Sequence, residues 1–229
     1  MKPFVFKQFE ILQDKEVFRV GTDGVVLGAI CDAGNASNAL EVGCGTGLIS
    51  LMLAQRFPTL KIQALDINSK AVHIAAQNFS NAPFSDRLKV VESDYNSFAE
   101  SVEYDLIVSN PPYFEAETSK DLIARHQVLL SFEQLILKST RLLSDKGILS
   151  VIIPSDGTES FTKMTEEADL YLIRRVDIYG IFGGKLKRNI LEFSKEQKEL
   201  VTEELVLEKD KRIYSDEYKR LTKDFHPMF

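Results

Sequence analysis

The chain has 229 residues, of which 44% are hydrophobic and 27% are charged, and its formal net charge is −6 at pH 7. This length and composition suffice for one large globular domain, or two small ones, with a sizeable core. The negative net charge gives no global electrostatic reason to expect a nucleic acid as partner, so any polyanion would need a local basic patch.

Short sequence features exclude several further classes of protein. No run approaches the roughly 18 consecutive apolar residues of a membrane span, and the charges throughout residues 1–20 leave no apolar core for a signal peptide. We therefore expect a cytoplasmic protein without membrane contact. Cys31 and Cys44 are the two cysteines, and with three histidines they exclude a disulfide framework and predict no metal site. We expect both thiols to be buried.

The first 30 residues predict an irregular N-terminal extension. Residues 4–9 alternate loosely between apolar and polar, and residues 21–24 contain two glycines, so a short β-hairpin is expected. A helix over 25–30 should follow it, with Asp23 as its N-cap.

From residue 39 onward, strand-length apolar runs alternate with segments of helical spacing. This alternation predicts a doubly wound, Rossmann-like α/β fold with a mostly parallel sheet, right-handed crossovers and helices on both faces. The predicted strands are 39–42, 62–65, 88–91, 106–108 and 148–153, and the predicted helices are 47–57, 69–79 and 132–143.

Beyond Pro154 the pattern predicts a helix over 157–168 and then two strands, 171–178 and 190–193, which form an antiparallel hairpin at the end of the sheet. The segment 196–229 is charged, but it ends with apolar residues at roughly helical spacing, so we expect it to pack on the body. These residues are Tyr214, Tyr218, Leu221, Phe225 and Phe229.

A glycine loop connects the first of these strands to the first helix. Its glycines stand at positions 43, 45 and 47, and they leave no Cβ where the backbone turns sharply or a ligand approaches closely. The free N–H groups of the loop and of the helix N-terminus would face one crevice. Such a loop is also compatible with an ordinary turn of a parallel sheet, so the neighbouring residues decide what it binds.

Acidic residues around the loop indicate the cofactor. Asp66 follows the glycine loop by about 20 residues, where a carboxylate can accept both ribose hydroxyls of an adenosine. Leu48 stands where the dinucleotide pattern G-x-G-x-x-G requires glycine, and no lysine follows as in a Walker loop. Glu41, two residues before Gly43, favours a cation such as the amino group and sulfonium of S-adenosylmethionine. Asp94 would hydrogen-bond the adenine amine, or act only as a turn former.

The quartet from Asn110 to Tyr113 follows an apolar strand and indicates the substrate. An exocyclic or amide nitrogen is a weak nucleophile because its lone pair is delocalised, and its two hydrogens need two acceptors. The Asn110 side-chain oxygen and the Pro111 carbonyl can supply them, since Pro112 has no N–H. Tyr113 would stack on the planar target and fix its face toward the methyl donor. The alternative is a rigid loop without chemistry.

These motifs resemble those of the class I S-adenosylmethionine-dependent methyltransferases. Residues 41–47 match the first motif of the family, Asp66 and Asp94 match the next two, and residues 110–113 resemble the signature of amino-methyltransferases acting on adenine or glutamine. The resemblance implies S-adenosylmethionine as cofactor, and in-line transfer by positioning without a covalent enzyme intermediate. The cofactor-binding residues that it implies are Thr22, Asp23, Glu41, Gly43, Cys44, Gly45, Thr46, Gly47, Asp66, Ile67, Asp94, Tyr95 and Asn110.

A closer similarity extends over nearly the whole chain, to bacterial tRNA (adenine-N6)-methyltransferases that modify the adenosine beside the anticodon of valine tRNA. It implies tRNA as partner, adenosine 37 as target, no obligate protein partner, and a position of Thr22 and Asp23 near the methionine part of the cofactor. Two alternatives stay open: methylation of a protein glutamine or of another nucleic-acid adenine, and a cofactor-binding RNA module without catalysis. The similar segments are 3–9, 13–14, 20–27, 124–126 and 218–225.

We predict a single methyltransferase domain over 1–229, made of an N-terminal extension (1–37), a catalytic core (38–195) and a C-terminal segment packed on that core (196–229). RNA binding would need a basic surface, and residues 170–195 hold six basic and two acidic residues. Each of these is also compatible with an ordinary solvated side chain. The expected RNA-binding cluster is Lys185, Lys187 and Arg188 with Arg174 or Arg175, helped by Lys2, Lys7 and Arg19.

Overall fold

The computed structural model describes residues 1–17, 19–99, 102–111 and 131–227. Pro112, Tyr113, Phe229 and the segment 124–126, all used in the sequence analysis, lie outside the described residues. The described part of the chain forms a small hairpin and a large, mostly parallel sheet with helices on both faces. The predicted doubly wound α/β class is confirmed.

The strands, in chain order, are β1 (Phe4–Val5), β2 (Glu10–Ile11), β3 (Asn38–Val42), β4 (Lys61–Asp66), β5 (Leu88–Glu92), β6 (Tyr104–Ser109), β7 (Leu143–Pro154), β8 (Tyr171–Ile181), β9 (Leu186–Ser194), β10 (Val201–Asp210) and β11 (Ile213–Tyr214). The helices are α1 (Thr22–Ile30), α2 (Leu48–Arg56), α3 (Ser69–Ser80), α4 (Phe132–Leu142), α5 (Thr158–Glu167) and α6 (Asp216–Thr222).

The large sheet has the order β11-β10-β8-β9-β7-β6-β3-β4-β5. Strands β3 to β7 run parallel to one another. Strand β9 is antiparallel to both β7 and β8, which confirms the predicted C-terminal hairpin. The chain leaves β3 toward β4 on one side and later adds β6 on the other, so the strand order reverses at β3, where open sheets bind ligands.

Alternate side chains of each central strand enter two separate cores. Leu106 packs into the core that includes residues of α1, α2, α3 and α6, whereas Ile107 packs into the core that includes residues of α4 and α5. Successive side chains of a strand point to opposite faces of the sheet. Because the side chains on both faces are apolar here, helices must cover both faces. Tyr218 and Phe225, from the C-terminal segment, are buried in the first of these cores.

The N-terminal extension differs from its prediction. The hairpin exists, but it joins β1 to β2, and the predicted turn residues open α1 instead, with Gly21 as N-cap and no side-chain cap. Asp23 therefore does not cap this helix, and its carboxylate pairs with Arg188. The helix forms because its apolar residues pack against α2, where a Cβ on Gly28 would lie only 2.9 Å from the Met52 sulfur.

Strand β10 was not predicted. It runs parallel to β8 near the edge of the sheet, and of its ten residues only Leu205 is buried. Charged residues on an outer strand protect against edge pairing with other chains, but they also remove the apolar alternation by which a strand is identified.

Candidate active site

Neighbouring strand ends bring the substrate quartet beside the glycine loop. Val42, the last residue of β3, pairs with Leu65 on one side and with Ser109 on the other. The Ser109 hydroxyl donates to the Val42 carbonyl at 2.9 Å, which fastens the end of β6 to the end of β3. Asn110, partly exposed, and Pro111, buried, follow directly, so both leave the sheet next to the loop.

The glycine loop needs its three glycines for two different reasons. Gly43, Gly45 and Gly47 have φ values of 72°, 54° and 78°, in the left-handed region that favours glycine. A Cβ on Gly43 would meet no atom within 4 Å, so open space lies beside it. A Cβ on Gly47 would clash with the ring of Phe79, 2.9 Å from Cζ. Gly43 thus leaves room for a ligand, and Gly47 lets α3 approach the loop.

Asp66 is held against the loop by backbone donors. Its carboxylate accepts from the Gly45 N–H at 2.8 Å and from the Asn68 N–H at 2.9 Å. An ionised carboxylate has about four acceptor positions, so this partly exposed group can still accept two ribose hydroxyls. Ile67 follows with 58% of its surface exposed, which gives the same rim an apolar surface suited to a purine face.

Glu41 lies under the start of α2, with 1% of its surface exposed. It accepts from the Ser50 N–H at 2.9 Å and also from the Ser50 hydroxyl. Because Gly47 has no side chain to cap the helix, Glu41 supplies the acceptor that an N-cap residue normally provides. Burial raises the pKa of Glu41 to about 7, although the Ser50 bonds oppose this rise.

Three other predicted cofactor residues have buried side chains, and a fourth is exposed. The side chains of Cys44 and Thr46 are buried, and burial raises the pKa of the Cys44 thiol well above its ordinary value. Tyr95 is also buried, with its hydroxyl 3.0 Å from that of Ser139 in the core. Asp94 is exposed and accepts from the Asn96 N–H at 2.9 Å, as a turn-forming aspartate does. Cofactor contact by the three buried residues would use their backbone.

Asn78 supports the site and was missed by sequence reasoning. Its amide nitrogen donates to the Thr46 carbonyl at 2.9 Å, and its oxygen accepts from the Leu12 N–H at 2.8 Å. This buried amide thereby joins the glycine loop, α3 and the N-terminal extension. The signal was present in the sequence, since Asn78 lies on the apolar stripe of α3 beside Ala75 and Phe79.

The beginning of α1 lies at the same edge of the sheet. Thr22 is exposed there, and Asp23 forms a salt bridge with Arg188, Oδ2 to Nε at 3.0 Å. Arg188 pairs in register with Pro154 at the carboxyl end of β7. A residue predicted to bind the cofactor and one predicted to bind RNA therefore contact each other directly.

Arg174 is not part of the same surface as the other predicted RNA-binding residues. It pairs with Glu192 at 3.4 Å and with Glu203 at 2.7 Å, and its guanidinium also reaches the carbonyl of Ile30 at the far end of α1. Arg175 is likewise engaged, with Asp177 at 2.6 Å. Both arginines are therefore engaged by carboxylates of the same chain, as Arg188 is by Asp23.

Lys185 and Lys187 remain exposed at the carboxyl edge of the sheet, directly before Arg188 in β9. Within the described ranges neither lysine forms a salt bridge. The described residues also include no group of three or more His, Cys, Asp or Glu side chains that could hold a metal ion. None of the described helices is long and apolar enough to cross a membrane.

Comparisons with known proteins agree with this geometry. The family model described as methyltransferase small domain matches residues 15–168. A protein of Flavobacteriaceae bacterium (strain 3519-10), named tRNA1(Val) (adenine(37)-N6)-methyltransferase, is 50% identical over 99% of both chains. Proteins of the same name from Flavobacterium psychrophilum and Phocaeicola vulgatus are 42% and 41% identical over 97% of this chain, covering 98% and 97% of their own lengths.

Solved structures show the same fold at low identity. The protein Atu636 from Agrobacterium tumefaciens, described as a predicted O-methyltransferase, superposes with a TM-score of 0.70 at 16% identity over 89% of this chain and 96% of that one. The N-methyltransferase NodS from Bradyrhizobium japonicum, in complex with S-adenosyl-L-homocysteine, has a TM-score of 0.55 at 20% identity over 75% of this chain and 84% of its own.

Proposed function

The chain belongs to the methyltransferase small domain family, and we propose that it methylates N6 of adenosine 37 in the anticodon loop of valine tRNA. Its cofactor is S-adenosylmethionine, as predicted. The observation that carries the proposal is the position of Asn110 at the end of β6, beside the β3 end that opens into the glycine loop. The near-full-length relatives, named for this tRNA reaction, support the choice of substrate.

The structure fits the cofactor in three respects. The left-handed glycines and the open space beside Gly43 accept a ligand close to the backbone. Asp66 offers its remaining acceptor positions to a ribose, and the exposed Ile67 offers apolar surface to an adenine. Glu41 accepts hydrogen bonds from Ser50 beneath the glycine loop, and the positive charge of a bound S-adenosylmethionine would favour the ionised form of its carboxyl group.

Asn110 and Pro111 would prepare the nucleophile. When bound, S-adenosylmethionine would supply an electrophilic methyl group on its sulfonium: N6 would form a bond to the methyl carbon as the C–S bond breaks, the sulfur would leave as a neutral thioether, and the surplus amine proton would pass to solvent water. The Asn110 side-chain oxygen and the Pro111 carbonyl would accept the two amine hydrogens and draw the lone pair out of conjugation with the ring. Since both residues follow Ser109, whose hydroxyl is bonded to Val42, they would act on the amine by positioning alone.

Pro112 and Tyr113 complete the proposed catalytic quartet, and they lie outside the described residues. An adenine must be unstacked to enter such a pocket, which an anticodon loop permits more easily than a duplex. The tRNA substrate supports a cytoplasmic location, and the large sheet that both described cores share supports a single domain over residues 1–229. Glutamine methylation is less well supported, since the relatives described above are named for tRNA.

Methyl transfer by Asn110→Ala tests the mechanism. We expect this variant to bind S-adenosylmethionine as the original chain does but to lose transfer to unmodified valine tRNA by about 100-fold or more, as expected for loss of a positioned acceptor. Asn35→Ala, an exposed site before β3 at the opposite edge of the sheet, is the matched control. Labelled methyl transfer followed by nucleoside analysis measures both rate and product, and wild-type activity in Asn110→Ala would overturn the mechanism.

A further inference from the structure

The turn between β8 and β9 presents an aromatic ring at the carboxyl edge of the sheet. Phe182 is 77% exposed, more than any other large hydrophobic residue described. Its neighbour Ile181 is also exposed. Single exposed apolar residues are common on protein surfaces, but Phe182 also stands on a hydrogen-bonded turn that carries basic residues.

The first support is that the backbone under Phe182 is firmly held. The Phe182 N–H donates to the Glu208 carbonyl at 2.8 Å, which ties the turn to β10. The Gly184 N–H donates to the Ile181 carbonyl at 2.9 Å, and Gly183 has a φ of 70°. A ring on such a braced turn is presented with little backbone freedom left to lose on binding.

The second support is the charge around the turn. The turn and the adjoining β10–β11 turn hold six basic residues and two acidic ones within 180–188 and 208–212, and two acidic residues from outside these ranges, Asp23 and Asp216, pair with Arg188 and Lys209. This surface is positive although the chain as a whole carries −6. The basic residues are Lys185, Lys187, Arg188, Lys209, Lys211 and Arg212, and the acidic ones are Glu208 and Asp210.

We propose that Phe182 stacks on an unpaired base of the tRNA outside the active site, as an anchor for the RNA that flanks the target adenosine. An exposed aromatic ring among cations is the combination by which proteins hold unpaired nucleic acid, since the cations attract the backbone and the ring stacks on a base. This inference rests on the proposed function, because it takes the substrate to be tRNA.

The location of Phe182 distinguishes this contact from catalysis. Phe182 lies three strands away from Ser109, the last residue of β6. It also lies further toward the carboxyl edge of the sheet, by three residues along β7 and four along β8. The two residues are therefore roughly 25–30 Å apart. Phe182 therefore cannot contact the target adenine held at Asn110. Only a substrate that extends well beyond one nucleoside reaches both positions.

Steady-state kinetics with unmodified valine tRNA test the anchor. We expect Phe182→Ala to raise KM for tRNA roughly 5- to 100-fold, the range found for loss of one stacked base, with kcat and S-adenosylmethionine affinity unchanged. Phe182→Tyr should keep the original KM, whereas Phe182→Leu, which keeps apolar surface without a ring, should behave like the alanine variant. Leu200→Ala is the control, since Leu200 is 47% exposed directly before β10 at the opposite edge of the sheet.

The salt dependence of tRNA binding separates stacking from charge. Phe182→Ala should weaken binding at every salt concentration without changing the slope of log affinity against log salt, because no phosphate contact is lost. If Phe182→Ala keeps the original KM, or if Phe182→Leu does, stacking by Phe182 is refuted. If instead the unaltered protein transfers no methyl group to tRNA, the proposed function itself fails, so the two failures are distinguishable.

Discussion

Gly47→Ala should destabilise the protein more than the equivalent change at Gly43. Both glycines have left-handed φ values, 78° and 72°, so alanine at either position carries the same backbone strain of about 1–2 kcal/mol. Only at Gly47 does the new Cβ also enter occupied space, against the ring of Phe79. Overpacking of a buried site adds about 1–3 kcal/mol, which gives about 2–5 kcal/mol in total for Gly47→Ala.

Urea denaturation of the cofactor-free variants measures these differences as changes in the free energy of unfolding. Phe79→Ala provides the decisive comparison, because it removes the ring that the new Cβ meets. The double variant with Gly47→Ala and Phe79→Ala should lose about 1–3 kcal/mol less free energy of unfolding than the two single variants lose in sum. Gly43→Ala serves as the control for backbone strain, and it should additionally weaken S-adenosylmethionine binding, since its Cβ occupies the open space beside the loop.

Two results would refute this reasoning. Equal losses for Gly47→Ala and Gly43→Ala would mean that the Phe79 ring moves aside without penalty. Additivity of Gly47→Ala and Phe79→Ala to within about 0.5 kcal/mol would mean that the two groups do not interact. Either outcome would remove the geometric account of why the third glycine of the loop stands under α3.

Three further changes test other parts of the site. Burial raises the pKa of Glu41 from 4.5 to about 7, so the folded state binds the Glu41 proton more tightly than the unfolded state does. The free energy of unfolding should therefore fall as the pH rises from about 4.5 to 7. Glu41→Gln should remove that fall in a series of denaturation experiments between pH 4 and 8. Asp66→Ala should weaken S-adenosylmethionine binding about tenfold or more, because charged hydrogen bonds to the ribose are lost. Calorimetry measures this affinity, and an unchanged value would mean that Asp66 does not bind the cofactor. Charge reversal at Lys185 and Lys187 should lower the salt slope of tRNA binding by about 0.7–0.9 per lost phosphate contact, whereas reversal of Lys61, exposed at the amino end of β4, should leave it unchanged.

The sequence predicted those parts of the molecule that depend on local pattern. The apolar runs that became β3, β4 and β6 supply buried residues to both faces of the sheet, so they stand out without knowledge of their partners, and the apolar residues of the edge strand β5 are partly buried. The spacing from the glycine loop to Asp66 likewise reflects one βαβ unit, and the structure places that carboxylate 2.8 Å from the Gly45 nitrogen.

Features decided by distant partners were not predictable in the same way. Tyr95 directly follows the motif residue Asp94, yet its ring enters the core because Ser139 lies opposite on α4. Arg174 belongs to a basic stretch, but its charge is used by Glu192 and Glu203, which are 18 and 29 residues away in sequence. A count of charges within a segment cannot register partners that only the sheet register brings together.

The difference between paired and unpaired charges also explains how an acidic chain would bind the proposed tRNA. Charges more than about 8 Å apart on a solvated surface are largely screened at physiological salt, so the net charge of −6 matters less than the charges nearest the substrate. Arg174, whose carboxylate partners largely compensate it, lies mid-strand in β8, level with Glu192. Lys185 and Lys187, without salt bridges to any described residue, stand at the carboxyl edge where Asn110 leaves β6. The fold therefore keeps its available positive charge at the carboxyl edge between the end of β6 and the turn that carries Phe182, where the proposed tRNA would extend from Asn110.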